Sequence, residues 1–98
     1  MSTAVEITVL VPTPLRRFTE GQAKVDVTGA TVADALDDLN QRFPGIGERL
    51  LDDDGQIRRF VNIFVNGQNV RDAEGPQTSL KSGDEVGIIP AMAGGRDR

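Results

Sequence analysis

Residues 23–45 read AKVDVTGATVADALDDLNQRFPG, and the hydrophobic period changes partway through this stretch. Ala23, Val25 and Val27 alternate with polar residues, which is typical of a strand with one buried face. A second set of apolar residues then recurs every three or four positions, as on one stripe of a helix: Val32, Leu36, Leu39 and Phe43. The stretch therefore predicts a strand followed by a helix.

Start and stop signals flank the predicted helix. The hydroxyl of Thr31 is suited to accept a hydrogen bond from the first backbone N–H groups, and Asp34 places a carboxylate near the positive end of the helix dipole. Pro44-Gly45 then ends the helix. The apolar stripe also admits a role in partner binding, but a domain of this size needs these side chains for its core.

Upstream of this stretch, a second alternating segment precedes Pro12. Its apolar residues occur at every other position: Val5, Ile7, Val9 and Val11. Residues 5–11 therefore predict a first strand with one buried face. Across a loop of residues 13–22, this strand is expected to pair with the strand of residues 23–27 as a hairpin.

Downstream of the helix, residues 46–51 predict a short helical turn, and the polar, acidic residues 52–56 predict an exposed loop. Residues 60–65 read Phe-Val-Asn-Ile-Phe-Val and predict a third strand. Asn66-Gly67 comes next, and it is the dipeptide most favoured in two-residue type I′ hairpin turns. A returning strand that contains Val70 is therefore expected.

Residues 85–89 form the last apolar run and predict a final strand that leads into the tail after Pro90. The predicted order is two strands, a helix, a short helical insertion, two strands and a last strand. This order suits one mixed sheet of about five strands packed on one main helix, the α+β fold called the ubiquitin-like β-grasp. We expect one such domain over residues 1–90 and a flexible tail over residues 91–98.

Composition narrows the classes of function. The 98 residues include no cysteine and no histidine, which excludes disulfides, thiol nucleophiles and the usual zinc ligands. The formal net charge of −4 disfavours binding to nucleic acid. No apolar run is long enough to span a membrane, and the first residues lack a signal-peptide pattern. We expect a cytoplasmic protein, monomeric when free, with no bound cofactor or metal.

The tail carries the candidate reactive group. Residues 91–95 read Ala-Met-Ala-Gly-Gly, and they reach roughly 17 Å when extended, so we expect them to project from the domain. Because glycine has no Cβ, Gly94 and Gly95, preceded by Ala93, are able to thread a narrow channel in a partner enzyme. A carboxylate at Gly95 would attack the α-phosphate of ATP, and a sulfur donor would convert the acyl-adenylate to a thiocarboxylate.

Arg96-Asp97-Arg98 blocks this chemistry, because the Gly95 carbonyl belongs to a peptide bond while the tripeptide is attached. We therefore expect a protease to cleave between Gly95 and Arg96. Paired glycines near a chain end are also common in frayed termini, and this is the alternative interpretation. Their position directly after a predicted strand, in a chain with β-grasp order, favours the functional interpretation.

Several segments resemble one protein family. Ser82-Gly83-Asp84-Glu85-Val86, Pro90 and Ala93-Gly94-Gly95 are similar to the end of the MoaD/ThiS family of ubiquitin-like sulfur carriers. Within that family, the branch that serves cysteine biosynthesis in actinobacteria resembles almost the whole chain. The similar stretches are Val11-Pro12-Thr13, Leu15-Arg16, Gly21-Gln22, Arg59-Phe60-Val61-Asn62-Ile63 and Pro90-Ala91-Met92-Ala93-Gly94-Gly95.

The resemblance implies a carrier that is not an enzyme. Its partners would be an ATP-using adenylyltransferase of the ubiquitin-activating-like (MoeB/ThiF) type, a JAMM-type metalloprotease, and a cysteine synthase or another sulfur-accepting enzyme. The metalloprotease would remove Arg96-Asp97-Arg98 and also release the amino-acid product. Carriers of this family commonly end at the second glycine, and the extension leaves other acceptors open: molybdopterin, a thiolated tRNA, a secondary metabolite or the lysines of modified proteins.

A partner-binding surface is predicted on the third strand. Alternation directs Val61 and Ile63 towards the helix, and it directs Phe60 and Phe64 towards solvent on the opposite face. Exposed aromatic side chains are enriched at protein contacts, so these two residues and Met92 in the tail are candidates for docking. Local packing beneath a loop is the alternative for the two aromatic rings.

Overall fold

The computed structural model describes residues 5–90 as a five-stranded sheet packed against one main helix. The strands are Val5–Leu10 (β1), Lys24–Gly29 (β2), Val61–Val65 (β3), Gln68–Asn69 (β4) and Glu85–Pro90 (β5). Their spatial order is β2-β1-β5-β3-β4, with β1 and β5 parallel and the other neighbours antiparallel. The sheet is therefore mixed, and the predicted α+β, ubiquitin-like β-grasp fold is confirmed.

The first two strands form the predicted hairpin. Their register pairs Ile7 with Val27 and Val9 with Val25, and all four side chains are buried. Burying a valine or isoleucine side chain contributes about 1.5–3 kcal/mol relative to its exposure. The period-two pattern of the sequence thus corresponds to the core-facing side of this half of the sheet.

The connection between β1 and β2 is more ordered than the predicted loop. Residues Thr13–Phe18 form a 3₁₀ helix. Pro14 lies in its first turn, where the fixed φ of proline suits a helix start and no backbone N–H is needed. Leu15 is buried and covers one end of the core, which explains why this segment folds onto the domain.

The main helix, α1, covers Val32–Arg42 and begins as predicted. The hydroxyl of Thr31 accepts a hydrogen bond from the backbone N–H of Asp34 at 3.2 Å. The buried side chains of α1 are Val32, Ala35, Leu36 and Leu39. Phe43 caps the C-terminal end and packs, partly buried, against the core. The apolar stripe therefore belongs to the core, as predicted.

Close contacts tie α1 to the edge strand β2. A Cβ atom at Gly29 would lie 2.5 Å from the backbone nitrogen of Ala35, so only glycine fits there. The Asp38 carboxylate accepts hydrogen bonds from the backbone N–H of Thr28 at 2.9 Å and from Arg42 Nε at 3.0 Å. These contacts satisfy a backbone donor of the sheet edge and fix the helix beside it.

The turn between β3 and β4 has the predicted geometry. Asn66 and Gly67 have φ values of 51° and 89°, and positive φ at both central residues is what a type I′ turn requires. Val65 and Gln68 pair across it.

The predicted strand through Val70 is wrong. The strand β4 ends at Asn69, and Val70–Asp72 forms a 3₁₀ turn. The Asn69 side chain accepts a hydrogen bond from the backbone N–H of Arg71 at 2.9 Å, so it caps this turn instead of continuing the ladder. Val70 is buried, and its contribution is to the core and not to the sheet.

The insertion after α1 has the structure that was predicted from the sequence. A four-residue helix, α2, spans Gly47–Leu50 within the predicted helical turn, and Leu50 is buried. Residues 52–56 form the predicted solvated loop. The Asp52 carboxylate accepts hydrogen bonds from the backbone N–H groups of Asp54 and Gln56, which stabilises the loop locally.

Two negative findings apply to residues 5–90. No helix in this range has the length and apolar character needed to cross a bilayer. The same residues contain no group of three or more acidic side chains placed to hold a metal ion. The predicted tail, residues 91–98, lies outside the described part of the chain.

The link between α1 and β2 predicts a dependence of stability on pH. The backbone N–H of Thr28, with a smaller contribution from Arg42, holds the pKa of Asp38 below its usual value. A carboxylate with a lowered folded-state pKa stabilises the fold above its unfolded pKa, near pH 4, and this contribution is lost as the pH falls through the lowered value. Asp38→Asn should therefore lower the unfolding free energy by about 1 kcal/mol at neutral pH, with the difference shrinking below about pH 4.

Urea unfolding at a series of pH values measures this effect. Asp37→Asn is the matched control, because the neighbouring Asp37 carboxylate accepts its hydrogen bond from the Gln41 side chain and not from the sheet. The control should change stability by less than about 0.5 kcal/mol. Equal losses in the two variants would contradict the proposed link.

Candidate functional site

The tail continues from one end of the strands in the sheet. Pro90, the last described residue, ends β5 and pairs with Val61 at the start of β3. Leu10, at the end of the parallel strand β1, pairs with Gly87 of β5. This end of the sheet therefore brings together the last residues of β1 and β5 and the first residue of β3. We call it the exit end, and it is marked by Leu10, Val61 and Pro90.

The face of the sheet opposite α1 carries a shallow apolar groove, which runs from Leu10 and Ile89, towards the exit end, to the turn between β3 and β4. This outer groove has a volume of about 290 Å³, and its lining residues are Leu10, Phe64, Asn66, Gly67, Glu85, Gly87 and Ile89. Gly87 pairs with both Leu10 and Phe64, so its backbone forms the floor between two apolar side chains. Such a surface is able to accept an apolar side chain of a partner.

The structure places the two predicted aromatic residues differently. Phe64 lies on the outward face of β3 and is half-buried in the outer groove. Phe60 is 57% exposed, but it lies in the turn before β3 and not in the strand itself. Phe60 is thus exposed but lies outside the strand from which its placement was predicted, and Phe64 faces outwards as predicted but is half-buried. The role of both residues in docking stays a prediction.

A guanidinium group fixes the turn that carries Phe60. Arg71 donates hydrogen bonds from one terminal nitrogen to the carbonyl oxygens of Arg58 and Val61, both at 2.8 Å. The backbone N–H of Val61 also donates to the Arg58 carbonyl at 2.9 Å. The exposed ring is thus mounted on a backbone held from two sides, which reduces the entropy lost when a partner contacts it.

Sequence reasoning missed Ile89 as a surface residue. This side chain is 53% exposed, and it points away from the core on β5 beside the end of the strand. The signal was present, because Val86 and Ile88 are buried and period-two alternation then directs Ile89 outwards. In a continuous apolar run, buried and exposed positions look alike unless alternate residues are assigned to opposite faces of the strand.

The predicted tail residues lie outside the described part of the chain: Met92, Ala93, Gly94, Gly95 and Arg96. Their roles in docking, threading, adenylation and proteolytic processing stay predictions. Residues 5–90 offer contact surfaces for partners, and the sequence supplies no cysteine or histidine for catalysis.

Comparison with protein families gives a match over most of the chain. A family model described as the ThiS family matches residues 9–95. The matched segment begins in β1 and ends at the second glycine of the pair, so it leaves out the final tripeptide.

Individual relatives agree with the family match. Sulfur carrier protein CysO of Mycobacterium tuberculosis is 45% identical over 91 residues, which cover 91% of this chain and 98% of the relative. The CysO chain in a crystal structure of the Amycolatopsis orientalis BexX/CysO complex superimposes with a TM-score of 0.86 at 41% identity, over 90% of this chain and 98% of the other. Small archaeal modifier protein 1 of Methanosarcina acetivorans superimposes with a TM-score of 0.83 at 29% identity, over 95% of this chain and 99% of the other.

Proposed function

The chain belongs to the ThiS family of sulfur carriers, and from this membership we propose that it carries sulfur for cysteine biosynthesis as a thiocarboxylate on Gly95. The observation that carries the proposal is the 45% identity to a CysO sulfur carrier over nearly the full length of both proteins. The family match supports the reactive position, because it ends at Gly95. As in other ThiS carriers, the chain is a co-substrate of partner enzymes and not itself an enzyme.

The first step of the proposed cycle exposes the reactive group. A metalloprotease of the JAMM type hydrolyses the peptide bond between Gly95 and Arg96, and water supplies the new carboxylate oxygen. Arg96-Asp97-Arg98 leaves as a tripeptide. The cut chain then ends in two glycines, whose lack of side chains suits a narrow active-site channel.

The second step activates and loads this carboxylate. A partner adenylyltransferase of the MoeB/ThiF type binds ATP, and a Gly95 carboxylate oxygen attacks the α-phosphorus while pyrophosphate leaves. A sulfur nucleophile then attacks the acyl carbon and displaces AMP, which leaves the thiocarboxylate. Every catalytic group belongs to the partner, which agrees with a carrier that has no cysteine or histidine.

The third step transfers the sulfur. In a cysteine synthase, the thiocarboxylate sulfur forms a bond to the side-chain carbon of a phosphoserine-type substrate, and phosphate leaves. The new amino acid remains joined to the acyl carbon of Gly95. Hydrolysis of that bond by the same metalloprotease class releases the amino acid and restores the Gly95 carboxylate. We further propose that the protein works in the cytoplasm and is a monomer when it is not bound to a partner.

A second candidate function is protein modification through the diglycine. The similarity to small archaeal modifier protein 1 favours it, since that protein shares the fold over almost the whole of both chains. Other sulfur acceptors, namely molybdopterin, tRNA and secondary metabolites, use the same loaded Gly95. The complex of BexX with CysO in Amycolatopsis orientalis supports the idea that such a carrier docks onto a partner protein.

Intact-mass spectrometry tests the proposed chemistry. Full-length chain incubated with its protease, adenylyltransferase, ATP and sulfide should lose Arg96-Asp97-Arg98 and then exchange one oxygen for one sulfur. The uncut chain without protease is the control and should remain unloaded, because it presents no Gly95 carboxylate. A cut chain that lacks Gly95 should also stay unloaded while keeping its circular dichroism spectrum. Sulfur on that variant would contradict the assignment, and isopeptide-linked diglycine on other proteins would favour the modifier.

We assign the outer groove, together with Phe60 and Met92, to docking on the adenylyltransferase. Ile89→Asp introduces a charge into this apolar surface, so it should raise the KM for the carrier roughly tenfold, with kcat little changed. Gln41→Asp adds the same charge on the exposed side of α1 and should have little effect. Steady-state measurement of ATP–pyrophosphate exchange makes the comparison, and equal KM values for the two variants would contradict the docking assignment.

A further inference from the structure

Arginine residues are concentrated at the exit end of this acidic protein. Arg16 and Arg17 follow β1, Arg58 and Arg59 precede β3, and Arg49 lies in α2. The chain nevertheless has a formal net charge of −4. The positive charge of these arginine residues is therefore confined to the region of the exit end and is opposite in sign to the net charge of the chain.

One aromatic ring organises part of this cluster. The guanidinium carbons of Arg17 and Arg49 lie over the ring of Phe18, at 5.0 and 5.4 Å from its centroid. The adjacent Arg58 is held by a hydrogen bond from its Nε to the backbone carbonyl of Glu48. Cation–π contacts and this hydrogen bond orient three guanidinium groups before any partner arrives.

These three guanidinium groups have no acidic partner within the described residues. Among residues 5–90, the ion pair of Arg42 with Asp38 is the one within salt-bridge distance, and it lies on α1. Arg17 and Arg49 also make no side-chain hydrogen bond to the described part of the chain. Glu48 lines the same groove but forms no ion pair with these groups. Like charges held close together raise the energy of the unbound protein, and an added anion would lower it.

The cluster borders an open groove of about 600 Å³, which we call the arginine groove. Its lining residues are Phe18, Gly45, Glu48, Arg49 and Arg58. An aromatic ring at the base and guanidinium forks along the sides form a surface that suits side chains with an apolar stem and a carboxylate end.

We propose that the arginine groove docks an acidic polypeptide segment of the adenylyltransferase that receives the tail. The identity of this partner rests on the proposed function, whereas the binding of an acidic segment rests on the groove alone. Glutamate side chains fit because each carboxylate matches one guanidinium fork while its methylene stem packs on Phe18.

A phosphate ligand fits this groove less well. The groove is open and Glu48 is among its lining residues, so its carboxylate disfavours a compact anion of high charge. Separate carboxylates along a peptide are able to reach the guanidinium groups and avoid Glu48.

The position of the arginine groove would orient the protein as it approaches the partner. A protein with net charge −4 is repelled by an acidic partner in most orientations, and attraction arises when the exit end leads. Docking through the arginine groove therefore presents the tail to the partner before closer contacts form. The association rate should fall as ionic strength rises.

Fluorescence anisotropy with a fluorescein-labelled peptide of six glutamates tests the proposal on the full-length chain. At an ionic strength of roughly 0.01 M the peptide should bind, and binding should weaken strongly towards roughly 0.15 M. Arg49→Glu should weaken it by about tenfold or more. Lys81→Glu makes the same change in charge on an exposed residue near the opposite end of the sheet, where Gly83 bonds to Glu6, and should leave binding nearly unchanged.

Arg17→Glu provides a second variant, because the Arg17 side chain makes no hydrogen bond to the described part of the chain. This variant should weaken peptide binding as much as Arg49→Glu does. No binding of the peptide, or equal losses in Arg49→Glu and Lys81→Glu, would overturn the proposal. Inorganic pyrophosphate that shifts the Nε resonances of Arg49 and Arg58, while the peptide does not, would overturn it in favour of a phosphate site.

Adenylation kinetics separate this proposal from the proposed function. Arg49→Glu should raise the KM for the carrier roughly tenfold and leave kcat unchanged. If the wild-type cut chain is never adenylated, the proposed function fails, whatever the peptide measurements show. If it is adenylated and Arg49→Glu has an unchanged KM, the proposed function stands and the docking role of the groove is refuted.

Discussion

The last strand of the domain is hydrogen-bonded on both sides, to β1 in parallel and to β3 in antiparallel register. Val86 and Ile88 of this strand are buried, so β5 is held by the core as well as by its two neighbours. A central strand is the least able to fray, because its opening would break two ladders and expose core side chains. The ladder with β1 ends at Gly87, whereas the ladder with β3 continues to Pro90, so the last described residue is still held to the sheet by one neighbour. The doubly paired part of β5 therefore sets the position from which the tail continues.

That constraint explains why a protein with no catalytic cysteine or histidine is suited to enzymatic chemistry. The reactive group that we propose is a main-chain carboxylate, so the domain needs to present one chain end and to be recognised. Recognition has two physical components, which lie on separate parts of the surface. The outer groove, with Phe64 and Ile89, supplies apolar area, and the arginine groove around Phe18 supplies charge that opposes the net charge of the whole chain.

The sequence was sufficient to predict those elements whose local sequence signals agree with the tertiary structure. The change of period between Val27 and Val32 predicted the strand and helix, and Asn66-Gly67 predicted the type I′ turn, because both signals are local. Val70 was misassigned because the capping hydrogen bond of Asn69 ends the strand where hydrophobicity alone would continue it.

The candidate site was less accessible to sequence reasoning. The exit end unites residues from β1, β3 and β5, and the arginine groove includes Arg49 of α2; these residues are distant in sequence. Ile89 was missed although alternation alone would have found it, whereas the grouping of Arg17 and Arg49 over Phe18 depends on tertiary packing that no local pattern encodes.

The central claim is that partner enzymes transform the Gly95 carboxylate while the domain itself is unchanged. Carbon-13 NMR of the cut chain, labelled at glycine carbonyl carbons and with nitrogen-15, measures both parts in one sample. With adenylyltransferase, ATP and sulfide, the Gly95 carboxyl resonance should be replaced by a thiocarboxylate resonance, and the amide resonances of residues 5–90 should keep their positions after the enzyme is removed. An unchanged Gly95 resonance while the enzyme forms AMP, or sulfur at any other carbon, would contradict the account.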